Sequence, residues 1–151
     1  MVVTGGEIKE LLGEHEGIRS HLRFLLKSCV NLAIQDIRTK ERLCAYRCGL
    51  YDFRDAIQFH IELDERVFQT FSVDFSTKVP VEEHREILRV INELILLADS
   101  AVIERLGLEE LQLFTEKIGL AFSKIYDLIE AHIAVENAIL KEALNKLIAS
   151  V

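Results

Sequence analysis

The chain has 151 residues, half of them hydrophobic, and a formal net charge of −7, so it is the size of one ordinary domain with enough apolar residues for a real core. An acidic chain with scattered Lys and Arg lacks the basic surface that phosphates demand, which argues against nucleic acid and against anionic membrane surfaces. The longest apolar runs are far too short for a membrane span, and the expectation is a single domain over residues 1–151.

The N-terminal residues carry no basic, apolar leader, and the three cysteines, Cys29, Cys44 and Cys48, show no CxxC spacing. Both features lead us to expect a cytoplasmic protein with reduced, mostly buried thiols.

The pattern is helical throughout. Thr4 followed by Glu7 is a capping-box signature. After it Ile8, Leu11, His15, Ile18, Leu22, Leu25, Cys29 and Leu32 alternate steps of three and four, which predicts one helix running to about Ala33. A polar stretch over 35–40 makes the first turn. The second helix carries Leu43, Tyr46, Leu50, Phe53, Ile57, His60, Asp64, Val67 and Phe71 at the same spacing and ends in a loop over 72–78. Pro80 suits the first turn of a third helix, where its missing N–H is not needed. That helix presents His84, Ile87, Ile91, Leu94 and Ala98, and Gly107 marks the next break. The fourth helix shows Leu111, Phe114, Ile118, Phe122, Ile125, Ile129, His132, Glu136 and Ile139. Four long helices with short connections pack most simply as an all-α, antiparallel up-down-up-down bundle.

Polar residues interrupt each apolar stripe. Every helix puts one histidine there, His15, His60, His84 and His132, and the second and fourth helices add Asp64 and Glu136. A buried, unpaired carboxylate is costly, so each needs a partner. A single histidine on an apolar face is more often a satisfied core residue than a ligand, but here all four helices repeat the exception. The pairs His60/Asp64 and His132/Glu136 each span one turn, so a nitrogen and a carboxylate oxygen from each can reach a common centre. In an antiparallel bundle His15, His60 and His132 fall within about two turns of one height, at about 1.5 Å per residue. His84 lies nearer its helix start and needs the third helix displaced inward by the preceding loop. Four nitrogens with carboxylates suit iron or manganese, and a carboxylate can bridge two ions; thiolate-rich zinc or iron–sulfur sites are not available. His21 lies off the stripe and is expected on the surface or the shoulder of its helix.

These segments resemble the hemerythrin-like (HHE cation-binding) family. The resemblance rests on Glu14-His15, on 60–68 (His-Ile-Glu-Leu-Asp-Glu-Arg-Val-Phe), on Glu83-His84 and on 132–140 (His-Ile-Ala-Val-Glu-Asn-Ala-Ile-Leu), and it covers nearly the whole chain. It implies a four-helix bundle around two iron ions, bridged by two carboxylates and an oxo or hydroxo group, with manganese or zinc as less favoured metals. The implied metal ligands are His15, His60, Asp64, His84, His132 and Glu136. The chain departs from the family in having Asp64 where a Glu is usual, with Glu65 as an alternative that points about 100° off the stripe. It also has Leu88 where oxygen-carrying members have a further histidine. The ferritin-like alternative requires Glu three residues before a histidine, and those positions hold Leu12, Ile18, Ile57, Val81 and Ile129.

A centre walled by Ile18, Ile87, Leu88, Ile129 and Val135 admits only small ligands such as dioxygen, peroxide or nitric oxide. The expected function is binding or sensing of dioxygen or another small redox ligand. The alternatives are a di-iron enzyme reducing or disproportionating peroxide or nitrogen oxides, and an iron reservoir or donor. No signalling domain is attached, so a sensor would need a separate partner, and a homodimer is an open option.

Overall fold

The computed structural model describes residues 4–32, 38–68, 78–103 and 106–149. They form four helices and no strand: α1 (Gly5–Leu32), α2 (Thr39–Phe68), α3 (Lys78–Ile103) and α4 (Leu108–Ala149). Helix α1 packs on α2, α2 on α3, α3 on α4 and α4 back on α1, which is the contact pattern of a bundle. No described helix is long and apolar enough to cross a membrane.

The capping box forms as the spacing predicts. The Thr4 N–H donates to Glu7 Oε2 at 3.1 Å, and the Glu7 N–H donates to Thr4 Oγ1 at 3.2 Å, so two donors at the helix start are satisfied reciprocally. Pro80 lies in the first turn of α3, where no carbonyl four residues back requires its N–H. The predicted loop residues 72–77, the turn residues 35–37, and Ala33 and Phe71 lie outside the described residues.

The eight stripe residues read for α1 are its buried residues. In α2 the stripe from Leu43 to Val67 is buried, joined by Ile61 and Phe68. In α4, by contrast, Leu140 is buried, whereas Ile139 and Phe114 are half-buried against the core. A helix of 42 residues drifts against a strict three/four pattern, because its repeat of 3.6 is incommensurate with it. The expectation of mostly buried thiols is corrected: Cys29 is buried, but Cys44 and Cys48 are exposed. Cys44 follows the inward Leu43 by one residue and is therefore turned about 100° away from the core.

Two apolar clusters result. The larger holds Leu22, Leu25, Tyr46, Phe53, Ile91, Phe122 and their neighbours from all four helices. Gly49 lets α2 approach α1 closely, since a Cβ there would stand 3.0 Å from Leu25. The smaller consists of Ile8, Leu11, Val67, Phe68, Leu140 and Ala143, from α1, α2 and α4. His15, Asp64 and Glu136 fall between the two clusters, with His60 and His132 at the edge of the larger one, so the polar layer has apolar packing above and below.

Phe122 is fully buried, and Phe122→Ala should lower unfolding stability by about 3–5 kcal/mol. Gly13 is exposed in mid-helix with open space around its missing side chain, so Gly13→Ala should raise stability by about 0.5–1 kcal/mol. Urea midpoints of the two variants moving in opposite directions check this pair.

Candidate metal centre

Each ligand candidate arrives on its own stretch of buried stripe: His15 on α1, His60 and Asp64 on α2, His84 on α3, His132 and Glu136 on α4. All six are buried, with Asp64, His15 and Glu136 at zero exposure. The structure brings together every residue singled out for the site in the sequence. His84, placed too near its helix start by simple counting, stands level with the others, its Nε2 within reach of Asp64 and Glu136.

The polar atoms converge on a shared centre. His84 Nε2 lies 2.8 Å from Asp64 Oδ2 and 3.5 Å from Glu136 Oε2. His132 Nε2 lies 2.6 Å from Glu136 Oε1. His15 Nε2 lies 3.3 Å and His60 Nε2 3.7 Å from the same oxygen. The imidazoles form two edge-on pairs, His15 with His60 and His84 with His132, with ring centroids 4.8 Å and 4.6 Å apart.

These atoms fall into two ligand-type groups. Asp64, His84, His132 and Glu136 make one; His15, His60 and Glu136 make the other. Glu136 belongs to both.

The outer nitrogen of every ring has its own acceptor. His15 Nδ1 donates to Asn137 Oδ1 at 2.6 Å, and His132 Nδ1 to Glu83 Oε2 at 2.5 Å. His60 Nδ1 faces Glu14 Oε1, and His84 Nδ1 faces Glu65 Oε1, both at 3.4 Å. These acceptors fix each ring with Nδ1 outward and Nε2 turned towards the shared centre. The braces run in one direction round the bundle: Glu14 of α1 to His60 of α2, Glu65 of α2 to His84 of α3, Glu83 of α3 to His132 of α4, and Asn137 of α4 to His15 of α1.

Glu65 is thus an outer partner, 37 % exposed in its side chain, while Asp64 supplies the inward carboxylate. The sequence reading gave no role to Asn137 and none beyond the resemblance to Glu14 and Glu83. The signal was present as a polar residue directly beside each inward ligand, but which histidine it braces depends on the register of the neighbouring helix.

No protein-family model matches the chain, and no curated protein or solved structure matches it either. The chemistry of the centre therefore rests on its own atoms. Both oxygens of Asp64, both of Glu136 and the Nε2 atoms of His84 and His132 are buried without a hydrogen-bond partner. Several lie close to one another, His84 Nε2 to Asp64 Oδ2 and His132 Nε2 to Glu136 Oε1 among them. The Nε2 atoms of His15 and His60 approach each other at 3.1 Å, and this cluster of inward nitrogen and oxygen donors could hold a metal ion.

Electrostatics give the same account. Burial pushes the Asp64 carboxyl well above the ordinary range, helped by Glu136 and opposed by His84. Burial also opposes charge on His84, but the Asp64 and Glu136 carboxylates outweigh it and raise its pKa to about 10. Burial alone would raise Glu136 too; the surrounding imidazoles of His132, His15, His60 and His84 overcome this and keep it ionised. His21 stands apart. It is edge-on to Phe53 at 5.1 Å, and burial lowers its pKa.

Six isoleucines, Ile18, Ile57, Ile61, Ile87, Ile129 and Ile133, line a cavity of about 10 Å³ beside His60, His84 and His132. That is at the limit for one water molecule. Of the expected walls, Ile18, Ile87 and Ile129 are in place. Leu88 is half-buried against the main core and Val135 is exposed, so neither lines the cavity: each sits one residue from an inward position.

Asp64 and His84 both hold protons more tightly folded than unfolded. Metal-free protein therefore binds more protons in its native state, and its stability should fall as pH rises from about 5 to 9. Glu136 contributes the opposite sign only below its ordinary pKa of 4.5. Urea unfolding of chelator-treated protein across this range checks the sign; rising stability would refute it.

Proposed function

We propose that this chain is a hemerythrin-like, antiparallel up-down-up-down bundle that holds two iron ions and binds or senses dioxygen or another small redox ligand. The observation that carries the reading is the sharing of Glu136 between two groups of inward donors. Contacts whose residue numbers run in opposite senses support the topology. Glu14–His60 and Leu25–Gly49 join α1 to α2, Glu65–His84 and Arg47–Asp99 join α2 to α3, and His15–Asn137 and Arg19–Glu130 join α1 to α4.

Iron is favoured over softer or purely structural ions by the donor set. Four imidazole nitrogens and two carboxylates, without thiolate, suit an ion of intermediate hardness, and carboxylate bridging suits a pair. Zinc and manganese rank behind it. When bound, such a pair supplies reversible one-electron chemistry and a Lewis-acidic position for a small ligand.

The protein's own part is to position and to exclude. Asn137, Glu14, Glu65 and Glu83 fix the imidazoles with Nε2 inward. Asp64 and Glu136 offset the positive charge of the ions. The isoleucine cavity beside the inward nitrogens is no larger than about one water molecule, so only a very small ligand approaches there, which favours binding or sensing over an organic-substrate enzyme. Leu88 adds no nitrogen where the resembled oxygen carriers have one.

Metal analysis of protein expressed with ample iron should give about two iron atoms per chain, with near-ultraviolet bands of a coupled diferric pair after exposure to air. Stoichiometric zinc, with no such bands after iron reconstitution, would defeat the proposal. His60→Ala and Asp64→Asn should each lose iron, whereas His21→Ala should retain it and Glu65→Gln should lose less than Asp64→Asn. Equal iron content in all four variants would remove the assignment. Catalytic peroxide turnover that vanishes in His60→Ala would move the reading from sensor to enzyme.

A further inference from the structure

A groove of about 430 Å³ runs between α1 and α2 on the outer side of the histidine layer. Its size is within the range of small-molecule sites. Phe53, Phe59, Ile18 and Ala56 form its apolar wall, and its inner end reaches Glu14 and His60. Phe59 is 68 % exposed, an uncommon position for a large aromatic that no described residue covers.

Gly17 also lines this groove. It lies in the interior of α1, where glycine is the poorest helix former after proline. No close approach requires it, because a Cβ at this position would meet nothing within 4 Å. The missing side chain leaves the groove unfilled.

The ionisable lining is one-sided. Glu10 and Glu14 are carboxylates, His21 and His60 are imidazoles, and no Lys or Arg is among the lining residues. The nearby guanidinium groups are committed elsewhere: Arg19 pairs with Glu16 and Glu130, and Arg54 lies over the Tyr51 ring.

We propose that the α1/α2 groove is a binding site for a small organic cation, an ammonium group on an apolar or aromatic body. The body packs on the exposed ring of Phe59 and on Ala56, and the ammonium lies towards the carboxylates of Glu10 and Glu14. The Phe59 face adds cation–π attraction. An anionic ligand would meet two like charges and no counter-charge. This site stands whether or not iron occupies the buried cluster. Through Glu14, which faces His60 Nδ1, an occupant also touches the brace of one cluster histidine.

The test uses three probes of one shape: phenethylammonium, 2-phenylethanol and 3-phenylpropionate. Each is titrated into the purified protein and followed by amide chemical shifts. Phenethylammonium should bind about fivefold more tightly than the alcohol, with shifts confined to 10–21 and 53–60, and 3-phenylpropionate should bind most weakly. Gly17→Leu, which fills the groove with a better helix former, should abolish binding while circular dichroism stays native. Phe59→Ala, at an exposed position, should weaken it severalfold, and Glu10→Gln should reduce the preference for the ammonium over the alcohol. Equal affinity for the three probes, no binding at millimolar concentration, or unchanged binding in Gly17→Leu and Phe59→Ala would overturn the proposal. So would concentration-dependent dimerisation that Gly17→Leu removes without any probe binding, because the groove would then belong to a second copy of the chain.

Discussion

Two carboxylates with no solvent exposure, Asp64 and Glu136, set the constraint that the bundle answers. Removing such charges from water costs several kcal/mol each unless opposite charge and hydrogen bonding replace the lost hydration. Four histidines surround them, one from each helix, and their outer nitrogens are tied to acceptors. The rings are therefore oriented by the neighbouring helices as well as by one another. A cluster so arranged carries an excess of inward lone pairs and negative charge, and either protons or a cation must occupy it. The raised pKa values of Asp64 and His84 express the proton solution; the proposed metal pair is the other.

The apolar framework serves this layer. The larger cluster holds the four helices together on one side, and the smaller one, with Ile8, Leu11, Phe68 and Leu140, closes the other. Water is kept from the polar layer at both ends, which raises the worth of every interaction inside it. The isoleucine-lined cavity lies where the larger packing meets the histidines, and its wall is apolar.

Much of this was legible in the sequence. Three/four spacing gave the stripes of α1 and α2 nearly residue by residue, because a helix that buries one face shows that face directly. The six inward polar residues stood out as exceptions on otherwise apolar stripes. What the stripe could not show lies one residue away from it. Glu65, Asn137 and Glu83 sit on the shoulders of their helices, where function depends on which neighbour they meet, and that is decided by register across helices. The same one-residue ambiguity misplaced Leu88 and Val135 as walls, and the drift of a long helix moved burial in α4 from Ile139 to Leu140. Cys44 and Cys48 were misjudged because cysteine is usually buried, whereas their offset from Leu43 puts them outside.

The ring of braces has a consequence for biosynthesis. Each brace joins one helix to the next, and the last, from Asn137 to His15, joins the final helix to the first. Glu136, common to both donor groups, lies in that final helix. A nascent hairpin of α1 and α2 holds two histidines and a carboxylate, but His84, His132 and the shared carboxylate have yet to arrive. The cluster is therefore assembled only when the ribosome has released α4, and its completion reports that all four helices have docked in register.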